Sequence, residues 1–157
     1  MKIVDADIDG VLKIASNIRE SDRIEVEAMS QYDVKTACIV GYEMSPTCKI
    51  IRDDNDEDVI ILGLTEIVGE SFAIPWLLGT PRMDNLTPAE SIGALQAIKD
   101  VGQPWYESDR YLVNYIHDEN HLSKKLVKWL GFELCEPEPI GKNGEMFRKF
   151  HRGVINV

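Results

Sequence analysis

The run from Asp58 to Val68 constrains the fold more than any other part of the chain. Val59, Ile60, Ile61 and Leu62 are apolar in succession, and neighbouring side chains of a strand point to opposite faces of a sheet. Both faces must therefore be covered, which places this strand at the centre of a sheet with cover above and below.

The remaining pattern supplies partners for that strand. Ile3 and Val4 give a short first strand, and Ile8, Val11, Leu12 and Ala15 follow at the i, i+3, i+4, i+7 spacing of an amphipathic helix. A second helical region opens at Ser21, with Asp22 and Glu25 as a capping box. It continues through Val34, Ala37, Cys38 and Gly41, and Ser45-Pro46 closes it. Cys48 to Arg52 is a strand joined to the central one by the acidic turn Asp53 to Glu57, and Phe72 to Leu78 is the next. Thr87, Pro88 and Glu90 are the N-cap, N1 and N3 residues of a helix whose buried face is Ile92, Leu95 and Ile98. Gly102 and Pro104 end it, leaving Trp105 and Tyr106 in a connection. Tyr111 to Ile116 reads as a strand, Asn120 to Leu130 as a helix, and Phe132 to Cys135 with Met146 to Phe150 as two closing strands. The order is β-α-α-β-β-β-α-β-α-β-β, a single α/β (α+β) domain over residues 1–157. We expect a mixed twisted sheet of about six to seven strands flanked by about four helices.

Charge narrows the partners. The chain carries 27 Asp and Glu against 17 Lys and Arg, a net charge of -10. Such a surface repels a phosphate backbone, so nucleic acid is not an expected partner. No apolar stretch is long enough to span a bilayer. Acids occupy the first residues, where a signal peptide has its apolar core, so a soluble protein made in a cytosol is expected. Cys38, Cys48 and Cys135 are odd in number and far apart, which fits free thiols and neither a disulfide framework nor a zinc site. His117 and His121 lack the glutamate spacing of a metalloprotease helix. Asp54, Asp56 and Asp58 lack the glycine and glutamate of a calcium loop, since Val59 and Thr65 stand at those positions. No metal site is expected.

The segment from Asn120 through Ser123 to Gly131 and Phe132 resembles the last helix of the GNAT superfamily of N-acetyltransferases. A narrower resemblance spans residues 18–150. Ile18 to Met29, Pro75 to Thr80, Tyr111 to Ile116, Trp129 to Phe132 and Met146 to Phe150 look like the GNAT-like internal virion protein A family of short-tailed phages. The resemblance implies a GNAT fold whose fourth strand parts from the fifth near Pro75 and Asn114. Acetyl-CoA, if bound, would lie along Leu77, Leu78, Gly79 and Thr80, near Arg82 and Asn120.

Two departures bear on activity. GNAT enzymes carry a glycine-lined diphosphate loop after the fourth strand. Here Arg82 takes its first position, Asn85 and Thr87 take the glycine positions, and Asp84 adds a negative charge. The position of the general-acid tyrosine on the last helix is Val127, with Tyr111 and Tyr115 as substitutes, and Glu66 and Glu70 flank the strands where a general base belongs. No catalytic residue is assigned on this basis. The resemblance implies a protein of the virion and the host cytoplasm, with other virion or phage proteins as partners and without efficient acetyl transfer. The alternative is an acetyl-CoA-dependent N-acyltransferase acting on an amine. For a protein of assembly, Trp105 and Tyr106 are the candidate interface.

Overall fold

β3 (Asp58–Glu66) is buried along nearly its whole length. Ile60 and Leu62 face one core, with Ile51, and Ile61 faces the other, with Ile50 and Leu78. This is the two-sided cover that the apolar run demands. The computed structural model describes residues 1–153. Around β3 lie β1 (Lys2–Asp5), β2 (Thr47–Arg52), β4 (Phe72–Gly79), β5 (Tyr111–His117), β6 (Glu133–Glu138) and β7 (Phe147–Arg152). They form one mixed sheet in the order β1-β2-β3-β4-β5-β7-β6.

Helices α1 (Ile8–Ala15), α2 (Glu20–Met29) and α3 (Val34–Glu43) precede β2, while α4 (Pro88–Glu107) and α5 (His121–Trp129) follow β4 and β5. Val11 and Ile14 of α1 and Cys38 of α3 cover one face. Ala94, Ile98 and Val101 of α4, with Leu126 and Val127 of α5, cover the other. A 3-10 turn, Pro81–Asn85, links β4 to α4.

Three readings of the sequence are corrected. The second helical region is two helices, because the chain becomes extended at Ser30 and the Asp33 side chain accepts from Thr36 N at 2.7 Å to start α3 afresh. The Asp22/Glu25 capping box does not form: Arg19 stands at the N-cap of α2 with no side-chain cap. The third expected helix, α4, runs on through Gly102 and Pro104 to Glu107. A proline in a helix forfeits one backbone hydrogen bond, and burial of Val101, Gly102 and Trp105 in the same turns offsets it. Trp105 is 8% exposed and belongs to the core. Tyr106 packs edge-on to Phe132 at 6.0 Å under the Arg152 guanidinium. Neither ring stands in a free connection.

β4 and β5 run parallel and pair only at Phe72↔Tyr111 and Ala73↔Leu112. Beyond that point they part, as expected near Pro75. Proline offers no N–H to a ladder, and its carbonyl oxygen accepts from the Asn114 side chain, Nδ2 to Pro75 O at 2.9 Å, where no β5 backbone reaches it.

The two-sided burial of β3 has a direct test. Ile60→Ala and Ile61→Ala should each lower unfolding free energy by about 2–5 kcal/mol in urea titrations, the range for emptied core sites. A near-neutral result for either would mean that one face is uncovered.

Candidate functional site

The parted strands leave backbone groups facing a gap, and α2 lies across it. Gly79 N at the end of β4 donates to Asp22 Oδ2 at 2.6 Å, and Gly79 O accepts from Arg19 N at 2.8 Å. On the other bank, His117 N at the end of β5 donates to Glu25 Oε1 at 2.7 Å. Asn120, just after β5, donates through Nδ2 to Asp22 Oδ1 at 3.0 Å and to Glu25 Oε1 at 3.3 Å. The Asp22 carboxylate therefore spans the gap by itself, bound to β4 on one side and to the start of α5 on the other.

Arg19 closes the cluster and is 2% exposed. Its Nε and Nη2 form a bidentate pair with Asp22 at 2.9 and 3.0 Å. Nη2 also donates to Asn120 Oδ1 at 2.7 Å and Ser123 Oγ at 3.2 Å. Nη1 reaches Asp84 of the 3-10 turn at 2.8 Å. Burial opposes the guanidinium charge, but hydrogen bonding and attraction to Asp22, then to Asp84, outweigh it and raise the Arg19 pKa. Forked arginine–carboxylate pairs are among the stronger polar contacts in proteins. Losing one member strands a buried charge, at a cost of about 3–5 kcal/mol.

Glu25 is only partly compensated. Burial, and next among the raising influences the nearby Asp22 charge, push its carboxyl up to about 7 against the bonds from His117 and Asn120. It lines a cavity of about 470 Å³ between α2, α3 and the parted strands, together with Met29, Tyr32, Trp76, Tyr115 and Val127. Cys38 lines it too, and burial pushes its thiol up to about 11. The walls are largely apolar, so Glu25 can present a charge, or hold a proton, in poorly solvated surroundings.

The residues singled out in the sequence are only partly brought together. Leu77 and Leu78 line the cavity. Gly79 and Asn120 border the gap but are bound by α2, and Asn120 caps no helix with its side chain. Thr80 is tied to β3, with Oγ1 donating to Asp58 O at 2.7 Å. Arg82 is consumed by Asp53 at 3.0 Å, Glu90 at 2.6 Å and Asn85 O at 2.9 Å. Of the substitutes for a general acid, Tyr115 lines the cavity while Tyr111 packs on His151. Glu66 pairs with Arg110, and Glu70 is exposed in a turn. Among the described residues no group of three or more His, Cys, Asp or Glu could hold a metal ion, and no helix is long and apolar enough to cross a membrane. Arg19, Asp22 and Glu25 were not foreseen as a site. Their regular three-residue spacing on α2 was the available signal.

The sequence resemblance implies acetyl-CoA, and the residues present do not fit it in the usual way. By that resemblance the pantetheine arm would lie along Leu77 to Thr80, and the Asp22 carboxylate already holds the Gly79 amide in that stretch. Where a diphosphate would rest, Asp84 is paired with Arg19. The Thr87 and Glu90 caps, Thr87 N to Glu90 at 2.8 Å and Glu90 N to Thr87 at 3.2 Å, occupy amides at the start of α4. A Cβ on Gly79 would meet Met83 Sδ at 2.5 Å, so the turn itself is folded against the strand end.

No protein-family model and no curated protein sequence matches the chain. Solved structures do. A ribosomal-protein-alanine N-acetyltransferase from Brucella melitensis is 12% identical, with 98% of this chain and 100% of that one covered and a TM-score of 0.67. A GNAT superfamily phosphinothricin acetyltransferase from Sinorhizobium meliloti, in complex with acetyl-CoA, is 14% identical over 96% of this chain and 86% of that one, with a TM-score of 0.67. A spermidine N-acetyltransferase variant from Vibrio cholerae is 10% identical over 96% and 94% of the two chains, with a TM-score of 0.62.

The raised Glu25 carboxyl makes stability depend on pH. Between about 4.5 and about 7 the folded chain keeps a proton that the unfolded chain releases, so this group's contribution falls as pH rises through that window and then levels off. Glu25→Gln should remove the fall, seen as a pH-dependent gap between wild type and variant in urea unfolding. Parallel curves would contradict the assignment. The fold of this chain is that of the GNAT acetyltransferases.

Proposed function

We propose that this chain uses the GNAT scaffold to bind a partner and does not transfer acetyl groups efficiently. In this reading it is an assembly or adaptor protein of a phage virion, present in the virion and the host cytoplasm and working with other virion or phage proteins. The observation that carries the first part is the Asp22 carboxylate bridging Gly79 and Asn120 across the gap. The phage part rests on the sequence resemblance. Its segment Ile18 to Met29 contains Arg19, Asp22 and Glu25, so the stretch resembling virion proteins is also the stretch that bridges the gap.

A second reading is an acetyl-CoA-dependent N-acyltransferase acting on an amine. Two observations favour it: the likeness in fold to N-acetyltransferases, one of them holding acetyl-CoA, and Glu25, whose carboxyl at about 7 faces the cavity as a general base would. α2 would then have to move away from the gap before cofactor could enter.

Titration calorimetry with acetyl-CoA separates the two. The adaptor reading expects no saturable binding at millimolar cofactor. A dissociation constant in the micromolar range, with thiol release in the presence of an amine, would establish the enzyme reading instead.

A further inference from the structure

The face opposite the cavity carries a second feature that neither reading uses. A furrow runs between α4 and α5, formed by two adjoining cavities of about 330 Å³ and about 470 Å³ that share Trp129. Leu86, Leu95 and Leu122 line the first, above a floor of core residues. Lys99, Tyr106 and Arg152 line the second. Trp129 is 53% exposed and Leu122 42%, and Ile92 on α4 is 69% exposed. α5 turns Leu122, Lys125, Leu126 and Trp129 toward the furrow at i, i+3, i+4 and i+7, so half of an apolar stripe is spent on the core and half is left outside. Leu122 and Trp129 are the half left at the surface.

The charges that line this furrow are mostly cations without a carboxylate partner. Most lysines and arginines pair with a carboxylate, as Arg19, Arg82, Lys124 and Arg148 do. Among the described residues Lys99, Lys125 and Arg152 line the furrow without an ion pair, Lys128 follows Lys125 by three residues on α5 and has none either, and Glu107 is the one carboxylate lining the furrow. α5 itself contains three lysines and no acid. In a chain with a net charge of -10, leaving these cations together beside exposed leucine and tryptophan creates a local field opposite to that of the whole.

We propose that the α4–α5 furrow docks an acidic amphipathic helix from a partner polypeptide. The apolar floor and Trp129 would take the helix's leucine-type side chains, and the cation rim would pair with its acidic face. From Ser91 to Tyr106 the α4 wall is about 22 Å long at the α-helical rise, room for about four turns of a third helix laid in the groove. The site holds whether or not acetyl groups are transferred in the gap.

The probe is a synthetic helix-forming peptide with leucines on one face and glutamates on the other, beside a counterpart with lysines for glutamates. Binding is followed by amide and indole N–H shifts of the full chain. Saturable binding of the acidic peptide that moves Leu122, Lys125 and the Trp129 indole is expected, with no binding of the lysine peptide. Lys125→Glu with Lys128→Glu should weaken it by about tenfold or more, since reversed rim charges add repulsion to lost attraction. Both substitutions are on exposed side chains, and unchanged spectra elsewhere would confirm that the fold is intact. No binding, equal binding of the lysine peptide, shifts confined to another face, or occupation of the furrow by a second copy of the chain would each overturn the proposal. So would binding of coenzyme A there in preference to the acidic peptide.

Discussion

The Arg19–Asp22 pair is the contact on which the rest of the site depends. A sheet whose middle strands part must satisfy the backbone groups that the missing ladder leaves behind, because a buried N–H or C=O without a partner costs about as much as a lost hydrogen bond. Gly79 and His117 are such groups, and α2 supplies their partners from Asp22 and Glu25. A carboxylate brought into a closed gap needs its charge answered there. Arg19 answers Asp22 on two bonds and extends to Asp84, Asn120 and Ser123, so one buried side chain ties α2, the 3-10 turn and α5 together.

The same economy explains the uneven state of the two acids. Asp22 takes the bidentate arginine, while Glu25 receives neutral donors from His117 and Asn120 and faces the apolar cavity. Burial accordingly pushes the Glu25 carboxyl toward neutrality. A perturbed carboxyl beside a cavity is a mark of functional sites in general. Here it stands in the gap itself, bonded to His117 N and Asn120 while it lines the cavity.

Much of the fold was legible from local pattern. The doubly apolar Val59 to Leu62, the Asp53 to Glu57 turn and the Thr87–Glu90 box each formed as their chemistry requires. Gly131 takes the left-handed conformation at φ 85 after α5. What failed were readings that assigned a polar side chain to its nearest backbone. Asp22 and Glu25 looked like a helix cap, and both instead reach partners about a hundred residues away, Asn120 from Asp22 and His117 from Glu25. Trp105 failed for a related reason: Gly102 and Pro104 signal a helix end locally, but the burial of the last turns of α4 prevails. Sequence spacing shows which residues share a face; it does not show which distant strand end that face will meet.

The proposed function requires Asp22 to stay bound between Gly79 at the end of β4 and Asn120 at the start of α5. The Gly79 amide reports on it directly, since its proton is held by a charged acceptor at 2.6 Å. In amide spectra of the full chain titrated with acetyl-CoA, the Gly79 N–H and the Asn120 side-chain amide should keep their resonances to millimolar cofactor. Saturable movement of both at micromolar acetyl-CoA would contradict it, for it would mean that Asp22 gives way and the channel opens.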